Sequence, residues 1–149
     1  MNGPGRTGDR LALRALVDDY AHHVDGRDFL AVAALFTEDG VLVAPAGERR
    51  GPSAIAAALN ALTRYERTLH VLGQQRIAFD TASEDQAAAD TPCMAHHLLA
   101  ADADGPRRDR TLALRYHDRY RRGDDGVWRI EHRRLDVGWT TITAVVPAP

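Results

Sequence analysis

Beyond residue 66 the chain is built from alternation. Four segments, 67–79, 86–101, 109–121 and 127–143, are separated by the turn-like stretches DTASED, DADGP and GDDG. Period-two patterning between breaks of this kind predicts β-strands of one sheet. In the third segment Leu112, Leu114, Tyr116 and Tyr120 alternate with Arg115, His117, Arg119 and Arg121. In the fourth, Trp128, Ile130 and His132 share one parity and Leu135, Val137 and Trp139 the other, which predicts a bulge or bend near Arg133–Arg134. A sheet with one apolar face must be covered, and the first half of the chain is what can cover it.

That first half is helical. From Asp9, residues Leu13, Leu16, Val17, Tyr20 and Val24 recur at helical spacing, and Gly26 is placed to end the helix. Asp28 is placed to cap a second short helix, FLAVAALF, running to Phe36. EDGVLVAP reads as a turn and a short strand stopped by Pro45, GERRG as a loop or edge hairpin, and Pro52 opens an alanine-rich third helix, SAIAAALNALTRY. The order predicts an α+β fold: a cone-shaped barrel in which a curved antiparallel sheet wraps around three N-terminal helices. Such a cone has a mouth, and its inner polar residues converge on one cavity. The expected organisation is a tail over 1–8, a single domain over 9–144 and a tail over 145–149, since 149 residues fit one domain.

Composition removes many chemistries. The 19 basic residues are all arginine. Without lysine there is no Schiff-base nucleophile, no lysine-anchored pyridoxal phosphate and no P-loop. The two serines, Ser53 and Ser83, lie in a helix start and a turn, and neither sits in a G-x-S-x-G elbow. No G-x-G-x-x-G is present. Cys93 is the single cysteine, so neither an internal disulfide nor a multi-cysteine zinc site is available, and no H-x-H or H-E-x-x-H spacing points to a metal. The net charge of −2 and the lack of a clustered basic face argue against nucleic acid. No apolar run approaches the ~20 residues of a membrane span, and the opening MNGPGRTGDR lacks an apolar signal core, so a cytoplasmic protein is expected. What remains is histidine, carboxylate, tyrosine and arginine, a set suited to proton transfer with no cofactor.

Three stretches carry a resemblance. YAHHVDGRDFLAVAALFTEDGVL, then RTLHVLGQQRIAFD, then YHDRYRRGDDGVWRIEHRRLDVGW resemble, in order and spacing, the SnoaL-like group of the nuclear-transport-factor-2-like superfamily. The likeness runs from about residue 10 to residue 140 and is nearest to its scytalone dehydratase and dehydrochlorinase members. Those enzymes carry an aspartate just after the first helix and a histidine on the first long strand, acting as a dyad. The resemblance places Asp25 of VDGRDF on the aspartate and His70 of RTLH on the histidine. His97 falls on a second histidine of the dehydratase, and Arg115 near an asparagine. The dehydratase's two carbonyl-holding tyrosines have no counterpart: Val24 stands at the first position, and VLVAP has no tyrosine. Scytalone is therefore not the expected substrate. A back-to-back sheet homodimer is also what the resemblance implies.

An aspartate accepting from one imidazole nitrogen fixes the tautomer and leaves the other nitrogen as a base. Only one of His96 and His97 can enter a cavity, because neighbouring strand residues face opposite sides. Tyr20, Tyr116, Trp139 and Arg115 are the candidate substrate-binding residues, although packing is the commoner role of such aromatics. The expectation is a cofactor-free dehydratase, cyclase or isomerase acting on a small apolar, oxygenated metabolite, which the resemblance implies is of polyketide type. The alternative is a non-catalytic ligand-binding or assembly subunit on the same cone, and a third candidate is an epoxide hydrolase.

Overall fold

The computed structural model describes residues 6–101 and 105–146. Helix α1 spans Thr7–Asp25, α2 Phe29–Ala34 and α3 Pro52–Leu59, the last continued by a 3₁₀ turn over Asn60–Arg64. The strands are β1 (Phe36–Ala44), β2 (Gly47–Arg50), β3 (Arg67–Leu72), β4 (Arg76–Phe79), β5 (Gln86–Leu99), β6 (Arg108–Arg122) and β7 (Trp128–Ala144). The first helix thus begins at Thr7 rather than Asp9; residues 1–5 of the expected N-terminal tail and 147–149 of the C-terminal one lie outside the described residues.

The expected stripe closes α1 onto the sheet: Leu13, Leu16, Val17, Tyr20 and Val24 are all buried. Asp28 caps α2 by accepting from the Ala31 N–H at 3.0 Å, and Pro52 sits in the first turn of α3. α2 stops short of Phe36, which instead opens β1.

The strands form one curved sheet in the order β2-β1-β7-β6-β5-β3, with β4 also paired to β5. It is antiparallel throughout except where β1 runs parallel to β7. A parallel pair needs a long crossover, and everything from β2 to β6 separates these two strands. The sheet stays open, and its inner face packs on the three helices around a core that includes Val17, Val24, Ile55, Leu114 and Ile130. The β6–β7 register slips twice, leaving Glu131 and Gly138 unopposed. The bend expected near Arg133–Arg134 therefore falls at Glu131, with a second at Gly138; bulges of this kind increase bending and twist.

Segment 67–79 is not one strand. Gly73–Gln75 separate β3 from β4, and the inward parity changes across them. Thr68, His70 and Leu72 face in on β3, whereas Ile77 and Phe79 do so on β4. Gly73 accepts no side chain: a Cβ there would lie 2.7 Å from the Pro92 ring, and its N–H donates to the Pro92 carbonyl at 2.8 Å.

Candidate active site

Burial of the α1 stripe leaves Asp25, the last helical residue, against β3. One carboxylate oxygen accepts from the backbone N–H of His70 at 2.9 Å. The other accepts the Thr68 hydroxyl at 2.9 Å and lies 2.7 Å from His70 Nδ1. Burial pushes the Asp25 carboxyl up, but the hydrogen bonds from the His70 ring and backbone, the nearby imidazole and Thr68 together outweigh it and hold the group below its ordinary value. An ionised carboxylate at Nδ1 keeps the proton on that nitrogen, so Nε2 of His70 carries a free lone pair.

The His70 ring lines a cavity of about 350 Å³ between the concave sheet and the helices. Its walls are largely apolar, with Leu42, Leu59, Leu62, Leu112, Leu114 and Leu135, and its polar members include Tyr20, Tyr65, His97 and Tyr116. The register decides between the paired histidines: His97 lies opposite Thr68 on the inner face, while His96 lies opposite the outward Leu69. His97 stands edge-on to His70 with ring centroids 6.0 Å apart, and its Nδ1 is 3.3 Å from the Arg110 carbonyl. Burial, then the neighbouring His70 charge, hold its pKa below the ordinary imidazole value, which favours a neutral ring.

Tyr20 and Tyr116 form the floor, with ring centroids 5.8 Å apart. Between them lies Arg133, whose guanidinium carbon is 4.1 Å from the Tyr20 centroid and 4.2 Å from that of Tyr116. Arg133 is fully buried and makes a two-point ion pair with Asp118 at 2.8 and 2.7 Å. Burial raises the pKa of both tyrosines, so they stay protonated. Cys93 is buried, and burial pushes its thiol up to about 11, which removes it as a nucleophile near neutral pH.

The fold brings Asp25, His70, His97, Tyr20 and Tyr116 together. It does not bring Arg115 or Trp139 to the cavity. Both border a groove on the outer face of the sheet. Arg115 lies between the inward Leu114 and Tyr116, so alternation turns it out. Trp139 would follow Leu135 and Val137 inward, but the Gly138 bulge reverses the parity, and the residue is 65% exposed. Two further histidine–carboxylate pairs, His96–Asp109 and His117–Asp90, also lie off the cavity lining. Among the described residues no group of three or more His, Cys, Asp or Glu side chains is placed to hold a metal. No helix among them is long and apolar enough to cross a membrane.

Sequence reasoning missed Tyr65, Arg64 and Arg110. The Tyr65 hydroxyl accepts from Arg64 Nη2 at 3.0 Å and from Arg110 Nη1 at 3.2 Å. Burial pushes this phenol up, but the two guanidinium hydrogen bonds and charges outweigh it and bring it below the ordinary tyrosine range. Arg27 Nη2 donates to the Tyr65 carbonyl, and to that of Glu66 at 2.9 Å, fixing the segment that carries the ring. Tyr65 precedes β3, outside any periodic run. The available signal for Arg110 was its inward parity with Leu112 and Leu114.

A curved sheet over three helices, with a buried histidine–aspartate pair at its concave face, defines a class of cone-shaped small-molecule folds. The chain belongs to the SnoaL-like domain family, whose model matches residues 5–134. Among solved structures it is similar to a type 2 hexachlorocyclohexane dehydrochlorinase, LinA, with 23% identity, a TM-score of 0.84 and coverage of 97% of this chain and 95% of that one. LinA type 3 from Novosphingobium barchaimii gives 21% identity and a TM-score of 0.80, covering 96% and 97% of the two chains. A proposed scytalone dehydratase from Novosphingobium aromaticivorans gives 27% identity and a TM-score of 0.77, covering 94% and 91%. No curated protein matches the sequence.

Proposed function

We propose that the protein is a cofactor-free acid/base enzyme of the lyase or isomerase type, acting on a small, mostly apolar, oxygenated metabolite. The observation that carries this reading is the Asp25–His70 contact of 2.7 Å behind a ring that lines the apolar cavity. His70 Nε2 takes a proton from a carbon next to a carbonyl: the C–H bond breaks, an N–H bond forms, and the electron pair moves to the carbonyl oxygen. A tyrosine hydroxyl, an arginine or a bound water at that oxygen would stabilise it, and placed donors of this kind are a major source of rate enhancement. The enolate then expels a leaving group, closes a ring or is reprotonated elsewhere. The dehydrochlorinase and dehydratase descriptions of the similar structures favour elimination. A polyketide-type substrate and a cytoplasmic setting are part of the same proposal.

A non-catalytic binding subunit would need the cavity but no connected pair. An epoxide hydrolase would need carboxylates in the pocket, and none is among the lining residues. The test does not require the natural substrate. A panel of cyclic β-hydroxyketones is incubated in deuterated buffer, and loss of the α-proton signal is followed by NMR. The protein should accelerate exchange for at least one member, and His70→Ala should abolish this while leaving the circular dichroism spectrum unchanged. Undiminished exchange in His70→Ala would sink the catalytic claim.

We further propose a homodimer through the outer face of the sheet. Val71, Met94, Ala113 and Trp139 lie in one register row across four strands, and Val71, Met94 and Trp139 are exposed. An apolar row of this kind is a common mark of an interface. Sedimentation should give a dimer that Trp139→Glu weakens; a monomeric wild-type protein would refute it.

A further inference from the structure

Two cations converge on one neutral oxygen at the wall of the cavity. Arg64 and Arg110 both donate to the Tyr65 hydroxyl, at 3.0 and 3.2 Å. Among the described residues neither guanidinium has a carboxylate within ion-pair distance, although many of the other arginines do. Arg49 borders the same cavity, and its guanidinium donates to the neutral Glu48 carbonyl at 2.8 Å. Among the described residues no Asp or Glu lines the cavity. Like charges brought this close repel, and an anion between them would relieve that repulsion.

A phenol cannot be that anion while it keeps its proton. With its oxygen accepting from both guanidiniums, Tyr65 has its own O–H left to donate. A carboxylate has about four acceptor sites, enough for N–H groups from both arginines and for this O–H, and charge-assisted hydrogen bonds of this type are the strong ones. The Tyr65 ring packs on His97 with centroids 4.7 Å apart, and His97 stands 6.0 Å from His70. The cationic cluster and the histidine base therefore line one cavity, joined along its wall by the His97 ring, and the rest of the lining is largely apolar.

We propose that the cavity takes an organic carboxylate, with its charged end held by Arg64, Arg110 and the Tyr65 hydroxyl and its apolar body reaching His70. This deepens the acid/base proposal by naming the substrate class and rests on it only for the chemistry at His70. Binding alone tests it. The probes are 2-naphthoate and the uncharged, near-isosteric 2-naphthamide, compared by calorimetry at neutral pH.

The carboxylate should bind on the order of ten-fold tighter than the amide, and the advantage should shrink as salt is raised. Arg64→Gln, at an exposed position, should reduce the preference without disturbing the fold. Arg64→Gln combined with Arg110→Gln should bring the ratio to about one while leaving amide affinity in place. Equal binding of acid and amide, no binding of either, or a preference that survives the double variant would overturn the proposal. His70→Ala should keep the preference. Deuterium exchange that persists in His70→Ala would remove the acid/base reading and leave the carboxylate site standing; equal binding of acid and amide by the wild-type protein would do the reverse.

Discussion

Two histidines of one sheet each meet an aspartate with nearly the same geometry but in opposite surroundings. His70 and Asp25 meet at 2.7 Å, His96 and Asp109 at 2.6 Å. In both, a hydroxyl and a backbone N–H donate to the same carboxylate: Thr68 and His70 N–H to Asp25, Thr111 and His97 N–H to Asp109. Yet the His70 side chain is 7% exposed and lines the cavity, whereas that of His96 is 38% exposed and points away from it. An imidazole oriented by a carboxylate becomes a base for substrate only where substrate can be enclosed beside it. The contact distance does not distinguish the two pairs; the face of the strand does.

The largest expected effect tests that distinction directly. His70→Ala should lower the rate of α-proton exchange by ~10²–10⁴-fold, the usual span for a general base, while His96→Ala leaves it unchanged. Equal losses in both variants would erase the comparison. Next come the carboxylates. Asp25→Asn and Asp109→Asn each turn an amide NH₂ toward a group that was donating. Each should cost about 1–3 kcal/mol of stability by denaturant unfolding, and only Asp25→Asn should slow exchange.

Both carboxyls are held below their ordinary value of 3.8. Their stabilisation is complete above that value and is lost as pH falls through the lower, folded-state pKa. Each Asn variant should flatten this acid limb. The smallest effect concerns His97, whose folded-state pKa is depressed below 6.5. The unfolded chain then takes up its proton first as pH falls, so stability declines from about pH 6.5 downward. His97→Gln should remove that part of the decline in thermal unfolding, and an unchanged profile would show that the ring is not held neutral.

Much of this was legible in the chain. The helical stripe from Leu13 to Val24 and the alternation of β5 to β7 determined which faces are buried, because parity and period carry that information directly. Asp25 and His70 could be paired before any coordinates only through the resemblance of VDGRDF and RTLH, since 45 residues separate them and no local periodicity links them. Arg115 and Trp139 were misplaced for different reasons. Arg115 was assigned by similarity against its own parity, and Trp139 was carried outward by a glycine bulge that the pattern before it did not announce. Tyr65 was invisible because it follows a 3₁₀ turn, where no repeat marks an inward face.

The link at Gly73–Gln75 has a consequence for how this protein can change. Because the inward parity restarts there, β3 and β4 are separate reading frames hung on the same neighbour, β5. A substitution at Ile77 or Phe79 on β4 acts in a different inward frame from that of Thr68 and His70 on β3. The half that lines the cavity and the half that packs on the core are therefore separate frames on one neighbour. Gly73, pressed against Pro92 with no room for a side chain, is the fixed point that keeps the two independent.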